Sequence, residues 1–320
     1  MLFSSVDYIR GWLNSTKETL ENPTRNQLLW VLGTQIYFPT IRAKLEANVL
    51  FQGIKDVRSS KTTSSMFKVN PYIGFGFFPS KNIDLRVRMF YKNNVRLPSF
   101  SEMYYSQIGN TDLEPEEAHQ INAGLTYYLK EKRWMKEMML RADVFQNFVT
   151  NKIVAIPTKD LFVWSILNVD KVSITGIDLA VSITFQLAKR TTLKLAGSYS
   201  FQNALNRTNK EHITYNHQVA YIPKHSANST IGIDVFGASV YWSSYFTGNR
   251  FHLNENNNFN KLQSFWYSDL SIGYGIKLNK RHRLQFNFVI GNLADVQYEV
   301  VRSFPMMGRN YNIKISYAIN

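Results

Sequence analysis

Residues 308–319 read Gly308-Arg309-Asn310-Tyr311-Asn312-Ile313-Lys314-Ile315-Ser316-Tyr317-Ala318-Ile319. From Tyr311 to Ile319 every second residue is aromatic or aliphatic, and the residues between them are polar or small. A period of two places the apolar set on one face of a β-strand and the other set on the opposite face. A long polar connection at 294–307 precedes this segment, as in the last hairpin of a transmembrane β-barrel. The segment therefore predicts a strand with one face toward lipid.

The same alternation recurs along the whole chain. At 269–278, for example, Leu270, Ile272 and Tyr274 oppose Asp269 and Ser271. A large apolar residue opposite a small or charged one fits a lipid-facing exterior and a wet interior. We predict about thirteen strands, each at or above the ~9–11 residues that a tilted spanning strand needs. They lie near 27–39, 41–53, 64–78, 82–93, 118–130, 137–156, 162–187, 191–204, 226–236, 239–251, 264–278, 282–293 and 308–319.

The connections between these segments alternate in length. Tight ones are predicted near Pro39-Thr40, Pro79-Ser80, 187–191, Gly237 and Lys280. Long polar ones are predicted at 54–63, 94–117, 205–225, 252–263 and 294–307, and the long strands around Pro157 are expected to project beyond the membrane. Short turns on one side and long loops on the other are typical of bacterial outer-membrane barrels. A soluble all-β sandwich is the alternative, but its strands are about 5–6 residues long.

Composition agrees with a barrel. Aromatic residues make up 14% of the 320 residues, with 18 Tyr and 22 Phe, which suits aromatic girdles at two membrane interfaces. The mean hydropathy is −0.25 and no apolar run is long enough for a membrane-spanning helix. There is no cysteine, which excludes disulfides, thiolate metal sites and cysteine nucleophiles.

The net charge of +14 raises the question of nucleic-acid binding. The basic residues are scattered singly along strands or sit in short turns, such as 130–133 and 280–283. No recognition helix or stacking motif accompanies them, so we expect no nucleic-acid partner.

Two short sequence motifs, at residues 93–105 and 109–118, resemble motifs of a known family. Residues 93–105 read Asn93-Asn94-Val95-Arg96-Leu97-Pro98-Ser99-Phe100-Ser101-Glu102-Met103-Tyr104-Tyr105, and residues 109–118 read Gly109-Asn110-Thr111-Asp112-Leu113-Glu114-Pro115-Glu116-Glu117-Ala118. The order Arg-x-Pro-Ser-Phe-x-Glu, then Asn-x-x-Leu-x-Pro-Glu, resembles the long extracellular connection of TonB-dependent outer-membrane receptors. Further matches follow in family order at Asn151-Lys152-Ile153, Asn168 with Gly176-Ile177-Asp178, Ile222-Pro223-Lys224-His225, and the closing segment with Asn292, Pro305, Gly308 and Arg309.

The resemblance implies an incomplete antiparallel transmembrane β-barrel in the outer membrane of a Gram-negative bacterium. Residues 1–320 would be about thirteen C-terminal strands of a 22-stranded barrel. Family members import scarce ligands such as metal–siderophore complexes, cobalamin or haem, driven by the TonB complex, with an N-terminal plug in the lumen. The expected partners are outer-membrane lipid, a small-molecule chelate and, through an N-terminal region outside this chain, the TonB complex. Met1 to Ser5 do not begin a signal peptide, so we expect a truncation or a mis-called gene start. Because about nine strands and the plug would be missing and both sheet edges would be open in lipid, we expect a fragment that is not competent alone.

One departure from the family pattern concerns the last strand. Family barrels usually finish on an aromatic residue that the insertion machinery reads, whereas this chain has Ile319 followed by Asn320. The departure bears on the efficiency of membrane assembly.

Most motif residues are expected to have structural roles. Pro98 and Pro115 stop strand pairing at the membrane edge, because proline lacks the ladder donor. Arg96 with Glu102 or Glu116 is expected to pin the loop by charge-assisted hydrogen bonds. The motif residues are Arg96, Pro98, Phe100, Glu102, Asn110, Leu113, Pro115, Glu116, Asn292, Pro305, Gly308 and Arg309.

No catalytic, metal or cofactor site is recognisable. None of the six histidines stands in metal-ligand spacing. Haem receptors of the family that this chain resembles tend to carry a histidine between the two motifs, and residues 99–112 contain none, so the resemblance implies that haem is disfavoured. Glu116 and Glu117 are adjacent in a strand and are expected to point to opposite faces, so we do not expect them to act together as a catalytic acid and base. There is no Gly-x-Ser-x-Gly elbow. We predict no enzyme activity and no cofactor.

Candidate ligand contacts are loop aromatics and cations, because their chemistry suits planar or anionic chelates. They are Tyr104, Tyr105, Trp164, Trp242, Arg250, Trp266 and Arg302. The alternative is that most of them belong to an aromatic girdle or to loop packing. For the protein as a whole, the alternatives to an importer are a passive porin and a soluble all-β binding module.

Overall fold

The computed structural model describes residues 1–14, 22–59, 62–105, 108–157, 164–279 and 281–319. Fourteen strands form one sheet in which each strand pairs with the next one along the chain, and the pairings are antiparallel. The predicted all-β architecture is confirmed. The sheet strands are β1 (Leu2–Trp12), β2 (Thr24–Phe38), β3 (Ala43–Ser59), β4 (Thr62–Phe77), β5 (Asp84–Arg96), β6 (Glu116–Lys132), β7 (Met135–Pro157), β8 (Trp164–Ala188), β9 (Thr191–Asn206), β10 (His225–Val235), β11 (Ala238–Thr247), β14 (Phe265–Lys277), β15 (His282–Gly291) and β18 (Asn310–Ile319).

The remaining elements lie in the connections. They are the helix α1 (Phe100–Tyr104), the hairpin of β12 (Arg250–Phe251) and β13 (Lys261–Leu262), and the hairpin of β16 (Glu299–Val301) and β17 (Phe304–Pro305). Within the described residues no helix is long and apolar enough to cross a membrane.

Thirteen of the sheet strands correspond to the predicted segments, and β1 was missed. Phe3, Val6, Tyr8 and Ile9 do not keep a period of two, so the sequence shows no alternation there. The structure nevertheless pairs all of Leu2–Trp12 with β2. β1 and β18 lie at the two ends of the strand order.

The predicted long connection at 54–63 is wrong. β3 continues to Ser59 and β4 begins at Thr62, so only two residues separate them. The polar residues at 55–59 mark strand rather than loop, because this hairpin extends past its alternating apolar part. The long strands around Pro157 are confirmed, since β7 has 23 residues and β8 has 25.

The other connections alternate in length as predicted. Short turns at 39–42, 78–83, 133–134, 189–190 and 236–237 lie at one edge of the sheet, as does the short connection from β14 to β15, and the long loops at 97–115, 207–224, 248–264 and 292–309 lie at the opposite edge. Lys280, near which a tight turn is predicted, lies outside the described residues. Phe236 and Gly237 both have positive φ, at 51° and 95°. Two positive φ values define the tight turn that matches the twist of the flanking strands.

The two faces of the sheet differ in chemistry. On one face, the apolar face, large side chains such as Phe67, Leu125 and Ile313 are exposed. On the other, the polar face, Asp143 lies between Arg88 and Arg141, and Lys194 pairs with Asp234 at 2.8 Å. A closely packed apolar core forms where the 207–224 loop meets the sheet, around Val149, Val172, Ala204 and Val219. The long-loop edge therefore combines packed apolar side chains with polar loops, and a site can be built there.

Candidate functional site

The 97–115 loop begins with a capped turn of helix. Ser99 caps α1, since its hydroxyl accepts from the Glu102 N–H, while the Ser99 N–H donates to the Glu102 carboxylate at 2.8 Å. This is the reciprocal capping box of a Ser-x-x-Glu sequence. Arg96 donates to Glu102 at 3.0 Å and to Glu116 at 3.4 Å. Both ion pairs that the anchoring interpretation needs are present, and the anchoring role itself stays a prediction.

A buried ion pair, which the sequence analysis did not identify, contacts the start of this loop. Arg25 on β2 donates to both carboxylate oxygens of Asp56 on β3, at 2.8 and 2.7 Å. Its third donor reaches the Pro98 carbonyl at 2.6 Å, and its guanidinium lies 5.4 Å from the Phe100 ring centre. The motif residues Pro98 and Phe100 therefore rest on a cation contributed from 73 residues earlier in the chain.

The second half of the loop packs onto the β7–β8 hairpin. Met103 and Leu113 are buried against Ile153 and Ile166. Asn110 donates to the Ile166 carbonyl at 3.0 Å. The loop is thus held by apolar contact as well as by hydrogen bonds.

Glu114 and the two glutamates after Pro115 attach this loop to separate partners. The Glu114 N–H donates to Asn168, and Asn151 donates to the Glu114 carboxylate at 2.6 Å. Glu116 accepts from the Ile153 N–H at 3.0 Å, whereas Glu117 accepts from Lys68 and Asn93. The neighbouring carboxylates serve different contacts.

The closing 292–309 loop is organised by Asn292. This buried side chain, at φ 49°, donates to the Val296 and Met307 carbonyls and accepts from the Val296 N–H. Asp295 accepts from the Arg309 N–H at 2.7 Å, and a Cβ on Gly308 would lie 2.6 Å from the Asp295 carboxylate. Pro305 pairs with Glu299 in the β16–β17 hairpin. These motif residues give the loop a defined turn-rich shape.

Arg250 joins this loop to the 248–264 loop. Its side chain is buried, and it donates to the carbonyls of Gln263, Glu299 and Val300. Burial lowers the pKa of Arg250, although nearby Tyr221 and Glu299 oppose that shift. Arg250 was predicted as a ligand contact. The structure instead commits its guanidinium to backbone carbonyls, which favours a structural role.

Beside Arg250 lies an aromatic cluster of Tyr245, Phe265, Tyr267 and Tyr298. The ring centres of Tyr245 and Tyr267 are 5.0 Å apart, those of Tyr267 and Tyr298 are 4.9 Å apart, and those of Phe265 and Tyr298 are 4.5 Å apart. Phe265 and Tyr267 share the polar face with Asp269, since strand residues two apart point the same way. The sequence reading did not single out these four residues. The available signal was aromatic residues on the polar side of an alternating strand.

Two hollows, together called the aromatic cleft, open on either side of Phe265 and Tyr298. One of about 650 Å³ lies between the 248–264 and 292–309 loops and is lined by Arg302, Lys261, Gln297 and Phe259. The other, of about 360 Å³, is lined by Tyr245, Tyr267 and serine side chains including Ser200 and Ser226. Glu299 also lines the first hollow, and its carboxylate accepts from the Ser303 N–H at 3.1 Å. Aromatic faces beside two cations and one carboxylate suit a planar or anionic small molecule.

Only some of the predicted ligand contacts lie near this cleft. Arg302 lines it directly. Trp164 stacks on Tyr221, with ring centres 5.6 Å apart. Tyr221 lies close to both Arg250 and Arg302, and burial raises the pKa of its hydroxyl.

The other predicted aromatics lie elsewhere. Tyr104 packs against the apolar cluster around Met103, and Tyr105 is exposed in the 97–115 loop. Trp242 was predicted as a loop aromatic, but it lies inside β11 opposite Ile231 and Leu270 on the apolar face. Trp266 is on the same face, opposite Phe246. The register of β11 and β14 therefore places both tryptophans on the apolar face, away from the aromatic cleft.

Other concave regions have a different character. Two hollows of about 550 and 830 Å³ are lined mainly by apolar-face residues, such as Leu125 and Leu179 in the first and Leu32 and Ile73 in the second. They face the same side as the lipid-facing residues. Among the described residues no cluster of three or more His, Asp or Glu side chains is placed to hold a metal ion.

Comparison with solved structures shows what the sheet resembles. The copper transporter OprC has a TM-score of 0.71 at 14% identity, covering 100% of this chain and 53% of that one. The ferric citrate transporter FecA in its unliganded form has a TM-score of 0.69 at 14% identity, covering 93% of this chain and 45% of that one. The siderophore receptor PiuA from Acinetobacter baumannii has a TM-score of 0.68 at 16% identity, covering 93% and 43%. The chain spans about half the length of these proteins.

A search of curated protein sequences gave no match. The family model for the TonB dependent receptor-like β-barrel matches residues 35–293. Barrels of this family lie in the outer membrane of Gram-negative bacteria, with the polar face toward the lumen. The chain therefore belongs to the TonB-dependent receptor family and carries part of its outer-membrane β-barrel.

Proposed function

We propose that this chain selects the ligand of an outer-membrane importer that is energised through the TonB complex. The observation that carries the proposal is the aromatic cleft, because it lies on the lumen side of the sheet and between two long loops. In this family the long loops are extracellular. A ligand arriving from outside would meet the cleft before entering the lumen.

The chemistry of the cleft favours a planar or anionic chelate. Tyr298 and Phe265 offer ring faces, and Arg302 and Lys261 offer positive charge beside them. Similar solved structures are described as transporters or receptors for copper, ferric citrate and siderophores. We infer a metal chelate of that general class.

The sheet would form one part of a closed barrel. β1 and β18 end the strand order, and an open sheet edge in lipid leaves backbone groups unsatisfied at several kcal/mol each. We propose that further strands complete the wall and that a plug and a TonB-contacting segment belong to the same protein. Reading the DNA upstream of the Met1 codon tests this. An open frame encoding a plug supports it, and a stop codon next to a promoter contradicts it.

Uptake measurements test the transport proposal. Cells carrying the gene with its own upstream sequence would be given ferric citrate, a ferric catecholate or Cu²⁺, with and without a protonophore and with and without TonB. We expect uptake of at least one probe that needs both TonB and the proton gradient. Uptake that persists without either would instead indicate a passive porin.

A matched pair of variants ties uptake to the cleft. Tyr298→Ala removes a ring at the centre of the cleft, whereas Tyr274→Ala removes an exposed tyrosine from the apolar face. Loss of one aromatic contact is expected to lower the affinity for the transported probe by about tenfold. Equal uptake kinetics in the two variants would contradict a role for the cleft.

A further inference from the structure

Charge is distributed unequally between the two edges of the sheet. The short-turn rim is defined here as the six short turns with three strand residues on each side, at 36–45, 75–86, 130–137, 186–193, 233–240 and 275–284. By sequence it holds 14 Lys and Arg against 4 Asp and Glu. The four long loops, counted in the same way at 94–118, 204–227, 245–267 and 289–312, hold 8 against 9. The rim thus carries +10 of the net charge of +14.

The cations of the rim are mostly left unneutralised. In its described part, the rim's own cations form ion pairs only at Lys44, with Glu46, and at Arg86, with Asp84, while the rim residue Asp234 pairs with Lys194 just outside it. Exposed cations without such a pair include Lys132, Lys136 and Arg190. At the opposite edge, by contrast, Arg25 and Arg96 have carboxylate partners and Arg250 binds carbonyls. The rim therefore presents charge that the fold itself does not use.

Apolar side chains are exposed within the same rim. Ile41 is 56% exposed, Trp134 57%, Leu187 53% and Phe236 70%. The Arg190 guanidinium lies 6.0 Å from the Phe236 ring centre. Cations beside exposed apolar groups suit the boundary between acyl chains and headgroups, where each part meets its own environment. A soluble acidic partner would give no reason for the exposed apolar side chains.

We propose that the short-turn rim binds the phosphate headgroups of anionic phospholipid in the leaflet that faces the periplasm. In this family the short turns lie at the periplasmic end of the barrel. The rim is continuous with the apolar face, so lipids that pack on that face have their headgroups at the level of the turns. The inference rests on family membership and membrane orientation, and it does not require the proposed transport.

Lipid binding is measured on the protein extracted from outer membranes in mild detergent, by native mass spectrometry during titration with phosphatidylglycerol or phosphatidylcholine. Two variants with the same loss of charge are compared. The first is Lys132→Gln with Lys136→Gln at the rim. The second is Lys210→Gln with Lys224→Gln, two exposed lysines of the 207–224 loop.

The wild-type protein is expected to prefer phosphatidylglycerol. The rim variant should lose this preference by about fivefold for each lysine removed, and the loop variant should retain it. Equal affinity of the wild-type protein for the two lipids would overturn the proposal. So would an equal loss in both variants, because the effect would then follow net charge and not the rim.

A measurement on the wild-type protein alone covers the case in which a variant fails to insert. Raising the salt concentration about tenfold should weaken binding of phosphatidylglycerol and leave phosphatidylcholine unchanged, because exposed charges are screened. A preference that does not respond to salt would contradict headgroup binding by exposed lysines. The Tyr298→Ala variant leaves the rim unchanged, so it should keep the preference for phosphatidylglycerol even if its uptake is lost. The two proposals can therefore fail independently.

Discussion

Replacing Asp56 with Asn removes the carboxylate that Arg25 contacts through two donors, at 2.8 and 2.7 Å. Only 10% and 11% of the two side-chain surfaces are exposed. Removing one member of a buried ion pair costs about 3–5 kcal/mol, because the partner's charge remains buried. Arg25 would keep its bond to the Pro98 carbonyl, at 2.6 Å. We therefore expect the lower end of that range, about 3 kcal/mol, to weaken the attachment of the 97–115 loop.

Hydrogen exchange in α1 and its C-terminal cap measures this effect directly. The N–H groups of Met103 and Tyr105 donate to the Ser99 and Ser101 carbonyls, at 3.1 and 3.2 Å, and exchange when the loop opens. A loss of about 3 kcal/mol corresponds to exchange faster by about a hundredfold, since each 1.4 kcal/mol is a factor of ten. Wild type and variant are compared in the same detergent.

Glu46→Gln is the matched control. It removes a carboxylate that lies 3.0 Å from Lys44, but 43% and 29% of those two side chains are exposed. An exposed pair contributes about 0–1 kcal/mol, so exchange in α1 should change by less than about fivefold. The reasoning is refuted if α1 exchanges no faster in Asp56→Asn than in Glu46→Gln while the sheet stays intact.

Two further substitutions have defined outcomes. Burial would raise the pKa of Glu102, but bonds from Ser99 and Arg96 outweigh it and the pKa is lowered. Protection of the α1 amides against hydrogen exchange, corrected for the intrinsic exchange rate, should therefore be full above pH 4.5 and should fall as the pH drops through the lowered pKa of Glu102. In the Glu102→Gln variant this pH dependence should be absent. Asn292→Ala removes the buried side chain whose hydrogen bonds organise the 292–309 loop, and it should destabilise that loop by about 2–3 kcal/mol. Exposed Asn312→Ala is its control; equal protease sensitivity of that loop in both would contradict the assignment.

Much of the candidate site was beyond sequence reasoning. The Ser-x-x-Glu box before α1 was readable from local spacing, because a capping box closes within four residues. The aromatic cluster was partly readable, since Phe265 and Tyr267 share a face with Asp269. The partners of Arg250 were not readable, because its carbonyl acceptors lie up to 50 residues away. Such contacts depend on how two loops pack.

Strand register also decided what residue type could not. Trp242 and Trp266 have the same chemistry as a ligand-stacking tryptophan, but their cross-strand neighbours Ile231, Leu270 and Phe246 place them toward lipid. β1 is a strand that the alternation pattern does not reveal. Its alternation is broken, and it is a strand because β2 offers it a complete ladder of partners.

The amino-acid sequence by itself determined the antiparallel strands, their two faces and the alternation of short turns with long loops. These features follow from the period of two, which is local, and from turn residues that act within a few positions. Tertiary structure alone decided which distant residues meet at the long-loop edge. Arg25 reaches Pro98, and Tyr298 reaches Tyr267, only because the sheet brings the loops together. Loop conformation depends on side-chain packing between segments far apart in sequence, and no local pattern specifies it.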